Sequence, residues 1–79
     1  MARVLLFGRL SDVAGWRDRQ IDSPFLSALR AKLADEDAEL GEALARPGVR
    51  VALDQTIVRG DAALNAATEV AFLPPMSGG

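Results

Sequence analysis

Seventy-nine residues with eleven acidic and nine basic side chains, no histidine and no cysteine make one small domain of formal charge −2. A chain this short buries only about 60% of the surface it exposes when unfolded, so a large internal active-site cavity is not expected. The missing thiols and imidazoles remove disulfides, thiolate metal sites and the commonest general base, and the charge has the wrong sign for a nucleic-acid module. No apolar run approaches the ~20 residues that span a bilayer. Polar residues return at Arg9, too early for a signal peptide. The expectation is a soluble, cytoplasmic domain that binds neither nucleic acid nor membrane and holds no metal.

Val4-Leu5-Leu6-Phe7 is a short apolar run suited to a central strand buried on both faces. Gly8 to Gly15 reads as a connection, with Leu10, Val13 and Ala14 able to pack back on the core. Trp16 to Ile21 reads as a more polar strand whose charges suit an edge, giving a hairpin. Asp22-Ser23-Pro24 then signals a helix start, with Ser23 as N-cap and Pro24 in the first position. Phe25, Leu26, Leu29 and Leu33 follow at helical spacing, leaving Arg30 and Lys32 to solvent.

Asp35-Glu36-Asp37 opens a second, shorter helix with Leu40 and Leu44 on one face, closed by Arg46 and stopped by Pro47-Gly48. Gly41 weakens it by ~1 kcal/mol relative to alanine. Val49 to Leu53 alternates as a half-buried strand, and Asp54-Gln55 turns into Thr56-Ile57-Val58. Ala62 to Thr68 reads as a turn or a single helical turn around Leu64. Glu69 to Leu73 is the last strand, ended by Pro74-Pro75.

This order places one sheet face against one main helix. If the two most apolar strands, the first and the last, pair at the centre, the domain is α+β with the β-grasp (ubiquitin-like) arrangement. That is a mixed sheet of four to five strands, one main helix and a second short one. A ferredoxin-like α+β domain is the alternative left by pattern alone. The expected division is a folded body over 1–74 and a flexible Gly-Gly tail over 75–79.

That tail is the one segment able to carry chemistry. Two prolines hold the backbone extended, and from Pro75 to Gly79 the reach is about 14 Å. Gly78 and Gly79 lack a Cβ and can pass a narrow channel to bring a terminal carboxylate against another protein's backbone or a bound nucleotide. For an arbitrary Gly-Gly ending, a frayed terminus is the default reading. On a Pro-Pro stalk behind a β-grasp-like body, the pair carries more weight.

The sequence resembles the small subunit of molybdopterin synthase, a ubiquitin-like sulfur-carrier family. The resemblance rests on Val4-Leu5-Leu6-Phe7-Gly8 with Leu10 and Gly15, on Leu29, on Val51-Ala52-Leu53-Asp54-Gln55, and above all on Glu69-Val70-Ala71-Phe72-Leu73-Pro74-Pro75-Met76-Ser77-Gly78-Gly79. Two departures are Asp54, where the family often has asparagine, and Ala67-Thr68, where it has Gly-Asp; Asn65 is expected to supply a left-handed residue there instead.

The resemblance implies that the Gly79 carboxylate is adenylated by a separate ubiquitin-activating-like enzyme that uses ATP. A sulfur-donor protein then converts it to a thiocarboxylate. The chain itself binds no cofactor. It implies docking on the large synthase subunit, as two small and two large subunits, with Pro75, Met76, Ser77 and Gly78 inserted in the partner. There sulfur passes to cyclic pyranopterin monophosphate to build the molybdopterin dithiolene, and the catalytic side chains belong to the partner. Carriers of the thiamine, cysteine or siderophore pathways, a protein-conjugating modifier, and a non-covalent interaction domain are the competing readings.

Phe7, Phe72, Leu73 and Pro74 are assigned to the partner interface. The alternative is that the second helix or the Gly8–Gly15 connection covers them. Arg9, Arg17, Arg19, Arg50 and Arg59 either steer an acidic partner or form an ordinary solvated surface. Asp12, Asp18 and Asp22 lack the spacing of a calcium loop. Lys32, the only lysine, reads as a solvent-facing helix residue.

Overall fold

The computed structural model describes residues 1–75. Strand β1 (Ala2–Leu6) is followed by helix α1 (Arg9–Ala14), strand β2 (Asp18–Ile21), helices α2 (Leu26–Glu36) and α3 (Ala38–Leu44), and strands β3 (Arg50–Leu53), β4 (Thr56–Val58) and β5 (Glu69–Leu73). The sheet order is β2-β1-β5-β3-β4. β1 and β5 run parallel at its centre, with Val4 opposite Val70 and Leu6 opposite Phe72. The other pairings are antiparallel. This is the β-grasp arrangement, built on the central pairing of the two most apolar strands.

Alternation divides the sheet into two faces. Val4, Leu6, Val51, Val70 and Phe72 join Leu10 of α1, Leu26, Leu29 and Leu33 of α2, and Leu40 and Leu44 of α3 in one buried cluster. All three helices therefore lie on the same side. The segment from Gly8 to Gly15, read as a connection, is in fact α1. Its single buried residue, Leu10, supplies the packing that holds so short a helix.

Helix α2 starts later than the Ser23-Pro24 signal suggests. Ser23 Oγ donates instead to the Phe25 carbonyl at 3.3 Å, and Phe25 stands at the N-cap with no side-chain acceptor. The first two free N–H groups of the helix are met from across the chain. Leu26 N donates to the Ala62 carbonyl at 2.8 Å, and Ser27 N and Oγ donate to Asp61 at 2.8 and 2.7 Å. The two Ser27 bonds, with a third from Ala62 N at 2.9 Å, hold Asp61's carboxyl below the usual carboxylate range, Ser27 Oγ contributing most. Asp37 does cap α3, accepting from Leu40 N at 3.2 Å.

Gly41 proves to be a packing residue. A Cβ there would lie 2.6 Å from the Ala34 Cβ, so its absence is what lets α3 fold back on α2. Segment 62–68 contains no helical turn; an isolated bridge joins Ala63 to Phe25. The left-handed residues are Asp54 and Gln55 rather than Asn65, with φ 48° and 69° between β3 and β4. Positive φ at both centres of a two-residue loop matches the right-handed twist of a hairpin. Asp54 Oδ1 also accepts from Glu69 N at 2.9 Å, tying this turn to β5. The turn before β5 closes through Thr68 N donating to the Asn65 carbonyl at 3.1 Å, and side chains add to it: Asn65 Oδ1 accepts from Ala67 N at 2.8 Å, and Thr68 Oγ1 from Asn65 N at 3.0 Å.

Candidate functional site: the open sheet face and the root of the tail

The face without helices is built by the alternate residues of each strand. The registers align Leu5, Ala71, Ala52 and Ile57 across four strands. One step toward the tail, Arg50 lies opposite Leu73, and the β1–β5 register continued past Leu6 and Phe72 sets Phe7 beside Leu73. Phe7 is 45% exposed and Ile57 47%, whereas Leu5 and Leu73 are half-buried. Ala52 and Ala71, between them, are buried, each 7% exposed. The result is an apolar strip on a sheet face, of the kind a partner protein covers.

Two of the expected interface residues, Phe7 and Leu73, lie on this strip, and Pro74, half-buried, follows directly from it. Phe72 does not. It is 0% exposed, its ring lies in the core, and the Arg30 guanidinium sits 5.4 Å from the ring centroid. One step of alternation separates it from Leu73, and that step sends it to the helix side. Ile57 was not anticipated at this surface. Its signal was its place in a three-residue edge strand, which acquires meaning only once Ala52 is known to be its neighbour.

The root of the tail is shaped by two glycines distant in sequence. Gly8 has φ 56°, and a Cβ there would lie 3.1 Å from Pro74 Cγ. Gly48 has φ 92°, and a Cβ there would lie 3.0 Å from Pro75 Cβ. Both positions are left-handed and both are crowded by a proline, so each admits only glycine without rearrangement. Together they set the course along which the chain leaves β5. Met76, Ser77, Gly78 and Gly79 lie outside the described residues, and Pro75, the last described, is exposed.

The surrounding charges are partly neutralised. Arg3 holds Asp18 through Nη2 at 2.7 Å and Nε at 3.1 Å, which keeps the Asp18 carboxyl below its ordinary range. Arg19 pairs with Glu36 at 3.0 Å and lies 5.1 Å from the Trp16 ring centroid. Among the described residues, Arg9, Arg17, Arg50 and Arg59 form no ion pair. Lys32 Nζ donates to the Asp22 carbonyl at 3.1 Å. No group of three or more acidic side chains suited to a metal ion occurs among the described residues. Nor is any helix among them long and apolar enough to cross a membrane.

Fold and site together define a ubiquitin-like β-grasp domain that presents an apolar sheet face beside a prolyl stalk. The chain matches the ThiS family over residues 4–79 and belongs to it. It is similar to the molybdopterin synthase sulfur carrier subunit of Escherichia coli (strain K12), with 33% identity over 81 aligned positions and all of both chains covered. The protein of that name from Haemophilus influenzae is 31% identical, again over all of both chains. Among solved structures it resembles SAMP1 from Haloferax volcanii, with TM-score 0.82 and 23% identity over 99% of this chain and 98% of the other. Small archaeal modifier protein 1 from Methanosarcina acetivorans gives TM-score 0.87 at 19% identity, over 99% and 95%. At those identities the two structures bear on the fold alone.

Proposed function

We propose that this chain is the sulfur-carrier subunit of molybdopterin synthase, with Gly79 as the carrying residue. The observation that supports this best is the full-length similarity to two sulfur carrier subunits of that enzyme, together with a family match that extends through Gly79. The chain has no cysteine to hold a persulfide, so sulfur must be held elsewhere, and a terminal carboxylate is the group available. Ionised at neutral pH, a carboxylate is a poor electrophile and needs activation. An adenylating enzyme supplies it by forming an acyl-adenylate with ATP, releasing pyrophosphate. Sulfide-level sulfur from a sulfur donor then attacks the acyl carbon, AMP departs as the leaving group, and a thiocarboxylate is left on Gly79.

The open face, with Phe7, Leu73, Pro74 and Ile57, docks on the large synthase subunit, in a complex of two small and two large subunits. Pro75, Met76, Ser77 and Gly78 carry the thiocarboxylate into that subunit's active site, where sulfur passes to cyclic pyranopterin monophosphate. Enclosure there keeps water from a hydrolysable acyl intermediate. Intact-mass analysis with the activating enzyme, ATP and a sulfur source tests this reading. The expected product is heavier by the difference between one sulfur and one oxygen, localised to Gly79. An isopeptide bond from Gly79 to target lysines, or sulfur on any other residue, overturns it.

A further inference from the structure

Arg50 opens β3 and Arg59 directly follows β4, and both line one hollow at that edge of the sheet. The β3–β4 register sets Val51 opposite Val58, and continued by one residue it sets Arg50 opposite Arg59. Val51 and Val58 pack toward the core, so strand alternation puts both arginines on the helix-free face. Both are exposed, and among the described residues neither is paired with a carboxylate. Like charges directly opposed on neighbouring strands work against the pairing. Arg30 of α2 lines the same hollow, about 220 Å³ in volume, together with Leu26, Val51, Ile57 and Val58, and its guanidinium donates to the Leu44 carbonyl at 3.4 Å. A chain of net charge −2 thus gathers three guanidinium-bearing residues at one corner. That corner adjoins the tail, because Arg50 is the β5 neighbour of Leu73, after which the prolines begin.

We propose that Arg50 and Arg59 form a docking pair for an Asp or Glu side chain of the large subunit that receives the tail. This rests on the carrier reading above. A guanidinium presents a planar fork that matches a carboxylate with two parallel hydrogen bonds, and two opposed guanidinium groups favour an anion between them. The occupant belongs to a protein rather than to a free phosphate because the pair is continuous with the strip of Leu73, Ala52 and Ile57. A small anion neutralises the arginines and leaves that strip uncovered. The nearest helix start is also occupied: the Leu26 and Ser27 N–H groups are held by Ala62 and Asp61. The docked carboxylate neutralises the repulsion, steers the encounter and sets the sheet face in register with the tail channel.

The discriminating variant is Arg59→Glu. It turns a repulsive cross-strand pair into an attractive one within the chain, and presents negative charge to the partner. Association of the full chain with the large subunit from the same genome is measured at low and high salt, beside thermal unfolding. The expected result is a higher melting temperature with binding weakened about tenfold or more and a flatter salt dependence. Arg50→Lys/Arg59→Lys should keep the salt dependence and lose part of the affinity, since a lysine cannot make the bidentate contact. Binding of Arg59→Glu with wild-type affinity and salt dependence overturns the proposal, as does a wild-type chain that fails to bind. Saturable shifts of the Arg50 and Arg59 Nε–H signals with inorganic phosphate, alongside unchanged partner binding in Arg59→Glu, assign the pair to a small anion and also overturn it. Thiocarboxylate formation on the wild-type chain, read separately, distinguishes failure of the carrier reading from failure of the docking pair.

Discussion

Adjacent residues of β5 illustrate how a single backbone step separates the core from the open sheet face. Phe72 fills the core and Leu73 lies on the open face. Phe72→Ala is expected to cost about 3–5 kcal/mol in urea unfolding, combining lost burial with a cavity. Phe7→Ala should stay within about 0.5 kcal/mol, as surface changes usually do, yet weaken binding to the large subunit. Gly8 makes a second residue-scale case. Gly8→Ala is expected to cost about 1–3 kcal/mol through its positive φ whether or not Pro74 is present. Its effect on sulfur transfer should be larger, and Pro74→Ala in the same chain should relieve it by removing the crowding Cγ. A double-mutant cycle on transfer, with unfolding measured beside it, isolates that steric coupling, and equal losses of transfer with and without Pro74 would show that Gly8 does not aim the tail.

At the scale of elements, α2 takes its N-terminal cap from a loop far along the chain. Asp61's carboxyl is depressed by Ser27 and Ala62, so its stabilising contribution is present above the unfolded value of about 3.9. It is lost as pH falls through the lower native value. Asp61→Asn should therefore lower the urea midpoint at pH 5–7 and converge with wild type near pH 2, flattening the acid limb; parallel curves would contradict the assignment. The α2–α3 pair gives the opposite of what propensity suggests. Alanine at position 41 gains ~1 kcal/mol of helix propensity but places a methyl 2.6 Å from the Ala34 Cβ. Overpacking of that kind costs about 1–3 kcal/mol, so Gly41→Ala should destabilise the protein in chemical denaturation.

Taken whole, the molecule keeps its core on one side of the sheet and an open apolar strip on the other, with Pro74 and Pro75 following the strand that contributes to both. Residues beyond Pro75 follow the last strand, so removing Gly79 should shift stability by no more than about 0.5 kcal/mol. Sulfur transfer should nevertheless vanish, because the carboxylate is withdrawn by about 3.5 Å from the reacting centre. Thermal unfolding and thiocarboxylate formation measured on the same preparation check this. A deletion variant that still carries and donates sulfur at the normal rate would remove Gly79 from the mechanism.

The order of strands and main helices was legible in the sequence because each reports its own burial through a local period. Val4-Leu5-Leu6-Phe7 and Glu69-Val70-Ala71-Phe72-Leu73 mark strands of a central pair, while Leu26, Leu29 and Leu33 mark a helix. The Asp37 start of α3 was equally local, since the capping carboxylate and the N–H it accepts lie three residues apart. Other features depend on partners that local reasoning does not see. Helix α1 is too short to announce itself and exists because Leu10 finds the core. Ser23 looked like the cap of α2, but Asp61 and Ala62 arrive from the far side of the chain and satisfy those donors. Pro47-Gly48 reads as a helix stop, and only the fold brings Gly48 against Pro75. The same holds for Arg50 and Arg59. As letters they are scattered charges in an acidic chain, and only the pairing of β3 with β4 and β5 brings them to one hollow beside Leu73.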